Sequence, residues 1–268
     1  MSDVNAPLDR LRSARCFLLD MDGTVFLGEQ LLPGARRFLQ LLRRRGTRYL
    51  FLTNNSSSHR GRYAAKLRRL GLDVDEKEIF TSGEATARYL KKQHPGARIY
   101  LVGTPALEEE FAAHGFALVQ EDPEFVVLGF DTTLTYAKIR RLCDFVRAGR
   151  PYIATHPDVN CPTEDGFMPD IGAIMALVEA STGRSPDVIV GKPNPPLIEA
   201  VEEKTGVPIE EMCMVGDRLY TDIALGQAGV TTVLVLTGET QRTDLADAPH
   251  QPDYVVQDLV ELIARMQM

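Results

Sequence analysis

The sequence predicts an α/β fold built on a parallel sheet, and three observations carry that prediction. Short apolar runs alternate with amphipathic helical stretches along most of the 268 residues. Strand, helix, strand, helix in succession implies a parallel sheet with right-handed crossovers. The runs themselves, such as Cys16-Phe17-Leu18-Leu19 and Met212-Cys213-Met214-Val215-Gly216, are continuously apolar, as buried strands are. Polar residues with chemical potential follow directly after several of these runs, at the edge where open α/β sheets bind ligands.

The elements follow in order. Leu8 and Leu11 give the polar N-terminal lead an apolar patch, and a buried strand at 16–20 comes next. Pro33 opens a helix with Ala35, Phe38, Leu39, Leu41 and Leu42 on its apolar face, and Gly46 stops it. Arg43-Arg44-Arg45 closes that helix, where basic side chains suit the negative helix end and form a solvated face. Arg48–Leu52 is a second strand, ending in Thr53-Asn54-Asn55-Ser56; a helix near 58–70 ends at Gly71, and 79–81 is extended. A second alternating series begins after Ser82: a helix near 83–93, a strand at 98–102, a helix capped and opened by Thr104-Pro105, a strand at 125–129, a helix near 135–148 and a strand at 152–154. The segment 155–171, with Pro157, Pro162, Gly166 and Pro169, reads as a long loop of functional or irregular character. A helix near 172–182 follows. Val188-Ile189-Val190 then leads to Gly191-Lys192-Pro193, Pro195 and Pro196 open a helix to about 205, and the strand 212–216 ends in Asp217 with a helix from Asp222. Strands at 232–236 and 254–256 and a helix at 258–266 complete the chain, which has no internal repeat or low-complexity segment.

Composition narrows the function classes. With 44% hydrophobic and 25% charged residues the chain is typical of a soluble globular protein, and its length suits one large or two ordinary domains. A formal net charge of −7 argues against a duplex-binding surface, so no nucleic-acid polymer is expected as a partner. A small anionic substrate remains compatible where positive charge is focused locally. The four cysteines, Cys16, Cys143, Cys161 and Cys213, are far apart and form no CxxC pair, which argues against a disulfide framework or a thiolate zinc site. There is no signal-peptide pattern and no apolar stretch near 18 residues, so a cytoplasmic protein without membrane attachment is expected.

The most informative stretch is Asp20-Met21-Asp22-Gly23-Thr24. Residues two apart in an extended chain share a face, so Asp20 and Asp22 can serve one site. Two carboxylates there raise each other's pKa, and a divalent metal, a ligand phosphate or a nearby lysine would relieve the repulsion. Three further strand ends carry chemistry: Thr53-Asn54-Asn55, Lys192, and Gly216-Asp217 with Asp222.

This order of motifs resembles the haloacid dehalogenase superfamily of phosphohydrolases. Its D-x-D-G-T motif matches Asp20 to Thr24, its second-strand Thr or Ser matches Thr53, its lysine matches Lys192, and its G-D-x-x-x-x-D matches Gly216, Asp217 and Asp222. Thr53-Asn54-Asn55-Ser56 and Gly191-Lys192-Pro193 are similar to the NagD-like branch, which includes 4-nitrophenyl phosphatases, phosphoglycolate phosphatases and pyridoxal phosphate phosphatases. The resemblance implies a Rossmann-like, doubly wound core (1–82 and 187–268) with a smaller α/β cap inserted at 83–186. It implies Asp20 as nucleophile, forming an aspartyl-phosphate, and Asp22 as the acid and base around the leaving oxygen and the water. It implies that Thr53 and the backbone amides of Asn54 and Asn55 hold phosphate oxygens and that Lys192 neutralises charge. It implies Mg2+ held by Asp20, Asp217, the backbone carbonyl of Asp22, and Asp222 nearby or through water, in keeping with the few carboxylates magnesium takes.

The expected activity is a magnesium-dependent phosphomonoesterase on small organic phosphates: sugar phosphates, nucleotides, phosphoglycolate, pyridoxal phosphate or 4-nitrophenyl phosphate. The cap would select the leaving group, with His156 and Asp158 of Thr155-His156-Pro157-Asp158 as substrate contacts. NagD-like relatives commonly carry Asn where this chain has His156. Asp170-Ile171-Gly172-Ala173 lacks bulk and is expected to approach the active site. Apolar cap helices leave room for a homodimer through the cap. A phosphotransferase or mutase on the same core, and a non-catalytic phosphate-sensing module, are the rival readings; dehalogenation is disfavoured because it has no need of Asp22 and a metal pair.

Overall fold

The apolar runs that read as buried strands pair with one another in a computed structural model of the chain, which describes residues 8–163 and 166–267. Cys16–Leu19 lies between Met212–Gly216 and Arg48–Thr53 and runs parallel to both, with Cys16 opposite Met212 on one side and Arg48 on the other. The six-stranded sheet has the order Tyr254–Val256, Thr231–Val235, Met212–Gly216, Cys16–Leu19, Arg48–Thr53, Ile79–Thr81. From Cys16–Leu19 the chain winds outward in one direction through the second and third of these segments in sequence, and in the other through the last three. The sheet is therefore doubly wound, with its switch point between Cys16–Leu19 and Met212–Gly216.

Two compact units divide the chain. The first takes the residues up to Thr53, Tyr63–Phe80 and the residues from Val201; the second takes Asn54–Arg62 and Thr81–Ala200. The first unit's core joins Phe17, Phe38, Phe51, Leu42 and Leu262, all buried, with Phe17 and Phe38 meeting edge to face at 5.5 Å. Burying such side chains contributes roughly 1.5–3 kcal/mol each. The helix Ala35–Arg45 lays this apolar face inward and ends at Gly46, whose φ of 66° supplies the left-handed cap.

At the amino ends of these strands several helices finish, and arginines take up their carbonyls. Arg12 donates to Arg265 O at 3.4 Å, Arg45 to Met266 O at 2.8 Å and Arg48 to Thr205 O. Arg15 pairs with Glu211 at 2.7 Å. Arg45, the last of the basic run that closes Ala35–Arg45, is thus a helix-end ligand, as the negative helix terminus favours.

The second unit holds a five-stranded sheet in the order Val188–Ile189, Tyr152–Ala154, Phe125–Leu128, Arg98–Val102, Ala117–Leu118, with parallel neighbours throughout. Its core includes Tyr100, Val126, Leu128, Leu142, Val146 and Val178. All of 83–186 lies in this unit, and 187–200 joins it because Val188–Ile189 pairs with Tyr152–Ala154. Among the described residues no helix is long and apolar enough to cross a membrane.

Three features depart from the sequence expectation. The segment 155–171 is not loop throughout: Asn160–Thr163 and Gly166–Pro169 pair as an antiparallel hairpin. A two-stranded ribbon has outer edges that need no donor, so Pro162 and Pro169 are tolerated there. The helix expected from Asp222 is a 3-10 segment, Ile223–Ala228, with Gly226 weakening the helical run. A small hairpin, Phe26–Leu27 with Gln30–Leu31, follows the Asp20 motif; two-residue strands leave no periodicity to read.

Candidate active site

Asp20 and Asp217 stand one residue beyond the paired ends of adjacent strands, and the register brings them together. The Asp20 N–H donates to Val215 O at 2.9 Å, extending the ladder. The chain then turns, with the Val25 and Phe26 N–H groups donating to Met21 O at 2.9 and 3.1 Å. Gly23 makes this turn at φ 78°, and a Cβ there would run into the Asp217 carboxylate. Asp222 returns to the same place because its carboxylate accepts from the Arg218 N–H at 3.2 Å. Ligand oxygens of Asp20, Asp217 and Asp222 all lie within 4.8 Å of one another, with Asp217 and Asp222 buried.

Three carboxylates this close repel one another in their charged forms. Part of the compensation is local. The Asp217 carboxylate accepts from the Glu239 N–H at 2.7 Å. Burial works against the charge of Arg218, but the carboxylate of Asp20 first, then Tyr220, Asp217 and Asp222, outweigh it and raise the Arg218 pKa. An all-oxygen, mostly carboxylate donor set suits a hard divalent cation such as Mg2+, so these residues fit the metal that the motif order implies.

Asp22 stands apart from this group; its side chain is not among the clustered carboxylates. It is exposed on one side, yet the surrounding protein desolvates it enough to push its pKa above the ordinary 3.8, against the lowering fields of Lys66 and Arg218. Thr53, half-buried, closes the strand Arg48–Thr53.

The second unit gathers Asn54, Asp158, Lys192 and His156. Asn54 is buried, and its side chain grips the backbone of Lys192 at two points: Oδ1 accepts from the Lys192 N–H at 2.8 Å, and Nδ2 donates to Lys192 O at 3.0 Å. The same Nδ2 donates to Asp158 Oδ1 at 3.0 Å. Ser82 donates its hydroxyl to the Asn54 carbonyl. Lys192 is buried and precedes a cis peptide bond to Pro193. Asn55 caps its own turn, its Oδ1 accepting from the Ser57 N–H at 2.8 Å.

His156 is fully buried with both ring nitrogens engaged. Nε2 lies 3.0 Å from Asp170 Oδ1, and Nδ1 lies 3.0 Å from Thr155 Oγ1 and 3.4 Å from Ser82 Oγ. Asp170 also accepts from the Ile171 N–H at 2.6 Å, capping the helix Ile171–Thr182. Gly172 donates to Asp158 O at 2.8 Å, so the small-residue segment meets the loop 157–159.

The structure therefore assembles the expected residues in two sets: Asp20, Asp217 and Asp222 in the first unit, and Asn54, Asp158, Lys192 and His156 in the second. Two participants went unread in the sequence: Arg218, which stands beside a motif aspartate, and Ser82, which gives no local signal. Thr155 and Asp170 lie in segments the sequence singles out, but their contacts to the His156 ring carry no local signal.

Known proteins resemble this chain along nearly all of its length. A family profile described as haloacid dehalogenase-like hydrolase matches residues 17–117, and a second profile for HAD-like hydrolases matches 189–262. An acid sugar phosphatase of Staphylococcus aureus (strain MRSA252) is 36% identical over 259 residues, 96% of this chain and 100% of that one. The crystal structure of a 4-nitrophenylphosphatase from Thermotoga maritima superposes with a TM-score of 0.93 at 50% identity, covering 96% of this chain and 99% of the other. NagD from Escherichia coli gives 0.87 at 34%, covering 92% and 98%. A glycerol phosphate phosphatase from Mycobacterium tuberculosis, solved with magnesium, gives 0.86 at 35%, covering 93% and 76%.

Proposed function

The chain belongs to the haloacid dehalogenase-like hydrolases, in their NagD-like branch, and is a phosphatase of small phosphate esters; on that footing we propose that it is a magnesium-dependent phosphomonoesterase working through an aspartyl-phosphate. The observation that supports this best is the convergence of Asp20, Asp217 and Asp222, with their oxygens within 4.8 Å, at the ends of neighbouring strands.

In this reading the Asp20 carboxylate attacks phosphorus, the ester oxygen leaves, and the mixed anhydride on Asp20 is then cut by water. Asp22 gives its proton to the leaving oxygen and afterwards takes one from the attacking water. Thr53 and the amides after it orient the phosphate oxygens, while Lys192 counters their charge. Arg218 keeps part of the carboxylate repulsion in check. Asp20, Asp217 and Asp222, with the Asp22 carbonyl, would hold the cation. Once bound, Mg2+ supplies charge compensation for carboxylates and phosphate alike and a fixed point for orienting the ester.

His156 and Asp158 were expected to touch substrate. His156 has its ring engaged inside the second unit and Asp158 holds Asn54, so positioning roles suit both better. Substrate choice among sugar phosphates, glycerol phosphate and aryl phosphates is proposed to lie with the residues 83–186 acting as a cap.

The test is release of inorganic phosphate from a panel of phosphate esters with purified protein and Mg2+. Phosphate appearing in proportion to ester consumed supports hydrolysis. Transfer to a second alcohol without free phosphate would replace it by phosphotransfer, and no turnover across the panel would reject the enzyme.

A further inference from the structure

We propose that Asn54 and Asp158 are positioning residues for Lys192: Asp158 fixes the orientation of the Asn54 amide, and that amide fixes the backbone of Lys192. The proposal rests on the charge-countering role given to Lys192 above.

The geometry is a clamp. A primary amide offers an acceptor and a donor side by side, and a single residue can present its own N–H and C=O as the matching donor and acceptor. Asn54 meets Lys192 in that way, accepting from its N–H at 2.8 Å and donating to its C=O at 3.0 Å. The pairing has one correct orientation. If the amide turned over, Nδ2 would face the N–H and Oδ1 the C=O, and both bonds would be lost. The Asp158 carboxylate, 3.0 Å from Nδ2, can only accept while ionised. It therefore stabilises the correct orientation and penalises the other. Asn54 and Asp158 are 104 residues apart, and Asn54 and Lys192 are 138 apart, so the contact joins three distant segments.

Neighbouring residues hold the clamp from both sides. Ser82 donates to the Asn54 carbonyl. The Asp158 backbone is fixed by the Gly172 N–H at 2.8 Å. Gly191, just before Lys192, has no side chain where one would crowd it: a Cβ there would come within 2.8 Å of Asn54 Oδ1 and 2.6 Å of His156 Cβ. The peptide can come this close to Asn54 because position 191 is glycine. With its amide committed to Lys192 and Asp158, the Asn54 side chain acts through the lysine rather than through substrate.

Two measurements test this. The first is residue-resolved amide hydrogen exchange of Lys192 by NMR, in protein without substrate. Asn54→Ala should speed that exchange by about tenfold, the worth of one hydrogen bond near 1.4 kcal/mol. Asp158→Ala should speed it several-fold, and Asp158→Asn, whose oxygen still accepts from Nδ2, should leave it close to wild type. The second is turnover of 4-nitrophenyl phosphate with Mg2+. Asn54→Ala should lower kcat by about 100-fold, as misplacement of a charge-stabilising group does, with a smaller change in KM. Asp158→Asn should keep most of the activity that Asp158→Ala loses. Unchanged Lys192 exchange in both Asn54→Ala and Asp158→Ala would overturn the proposal. So would Asp158→Asn proving as damaging to turnover as Asp158→Ala, since that points to the carboxylate charge acting directly. Should Asn54→Ala not fold, the Asp158 pair decides alone. Lys192→Ala separates the two levels: full turnover in that variant rejects the role of the lysine, while the exchange data still report on the clamp.

Discussion

Gly23→Ala should disable the carboxylate site, and Gly46→Ala shows how much of its effect is mere strain. Both glycines have left-handed backbones, at φ 78° and 66°. An alanine in that conformation costs about 1–2 kcal/mol. At this chain length each kcal/mol lowers Tm by about 2–4 °C, so both variants should melt a few degrees early. Their surroundings differ. Nothing lies within 4 Å of a Cβ at Gly46, whereas a Cβ at Gly23 would overlap the Asp217 carboxylate and come within 3.0 Å of the Gly238 Cα. The carboxylate must then shift on the order of 1 Å, and a displacement of that size can cost about 100-fold in rate. Calorimetric titration with Mg2+ and initial rates on 4-nitrophenyl phosphate would read this. Gly46→Ala should match wild type in both, and Gly23→Ala should lose metal affinity and turnover together. Equal metal affinity and equal rates in the two variants would refute the idea that Gly23 makes room for Asp217.

Four further outcomes are expected. Asp20→Asn and Asp22→Asn should keep the fold by circular dichroism yet lose turnover, Asp22→Asn by about 10²–10⁴-fold as for a lost acid–base group; activity persisting in Asp20→Asn would reject it as the nucleophile. EDTA should abolish phosphate release and added Mg2+ restore it, with a fall in Tm on chelation because the carboxylates then repel unopposed. Tyr152→Phe should hold or raise Tm, because the Tyr152 hydroxyl is buried without a hydrogen-bond partner among the described residues and such a group carries a desolvation penalty of about 1–3 kcal/mol; a clear fall in Tm would contradict that. Iodoacetamide at neutral pH should modify Cys161 in native protein well before Cys16 and Cys213, whose thiols burial pushes up, Cys16 to about 12; peptide mass spectrometry would show the order.

The backbone plan was legible because buried parallel strands are written as unbroken apolar runs and their helices as amphipathic ones. Cys16–Leu19, Arg98–Val102 and Met212–Gly216 fall where the sequence places them, ending within a residue of the expected limits. The acidic residues were legible as strand-end motifs, but that Asp20 and Asp217 share a site was implied only by the resemblance; the register of Cys16–Leu19 on Met212–Gly216 then accounts for their meeting. The hairpin 160–169 was hidden because its prolines argue against strands unless the edge is known to be free. The role of Asn54 was hidden because its partners lie over a hundred residues away, and local pattern records nothing at that range. Its position after Thr53 points to its backbone amide as a phosphate ligand and says nothing of the side chain, whose partner is the backbone of Lys192.

The arginines at the amino ends of the strands bear on the acids at the other end. Strands of four to six residues separate them, which at about 3.3 Å per residue is about 13–20 Å. Those guanidiniums are largely open to water, and in physiological salt a charge fades over roughly 8 Å. Basic residues can therefore be abundant in the first unit and still offer the carboxylate cluster almost no relief. Neutralisation there has to come from within contact range, where Arg218 and the Glu239 N–H stand.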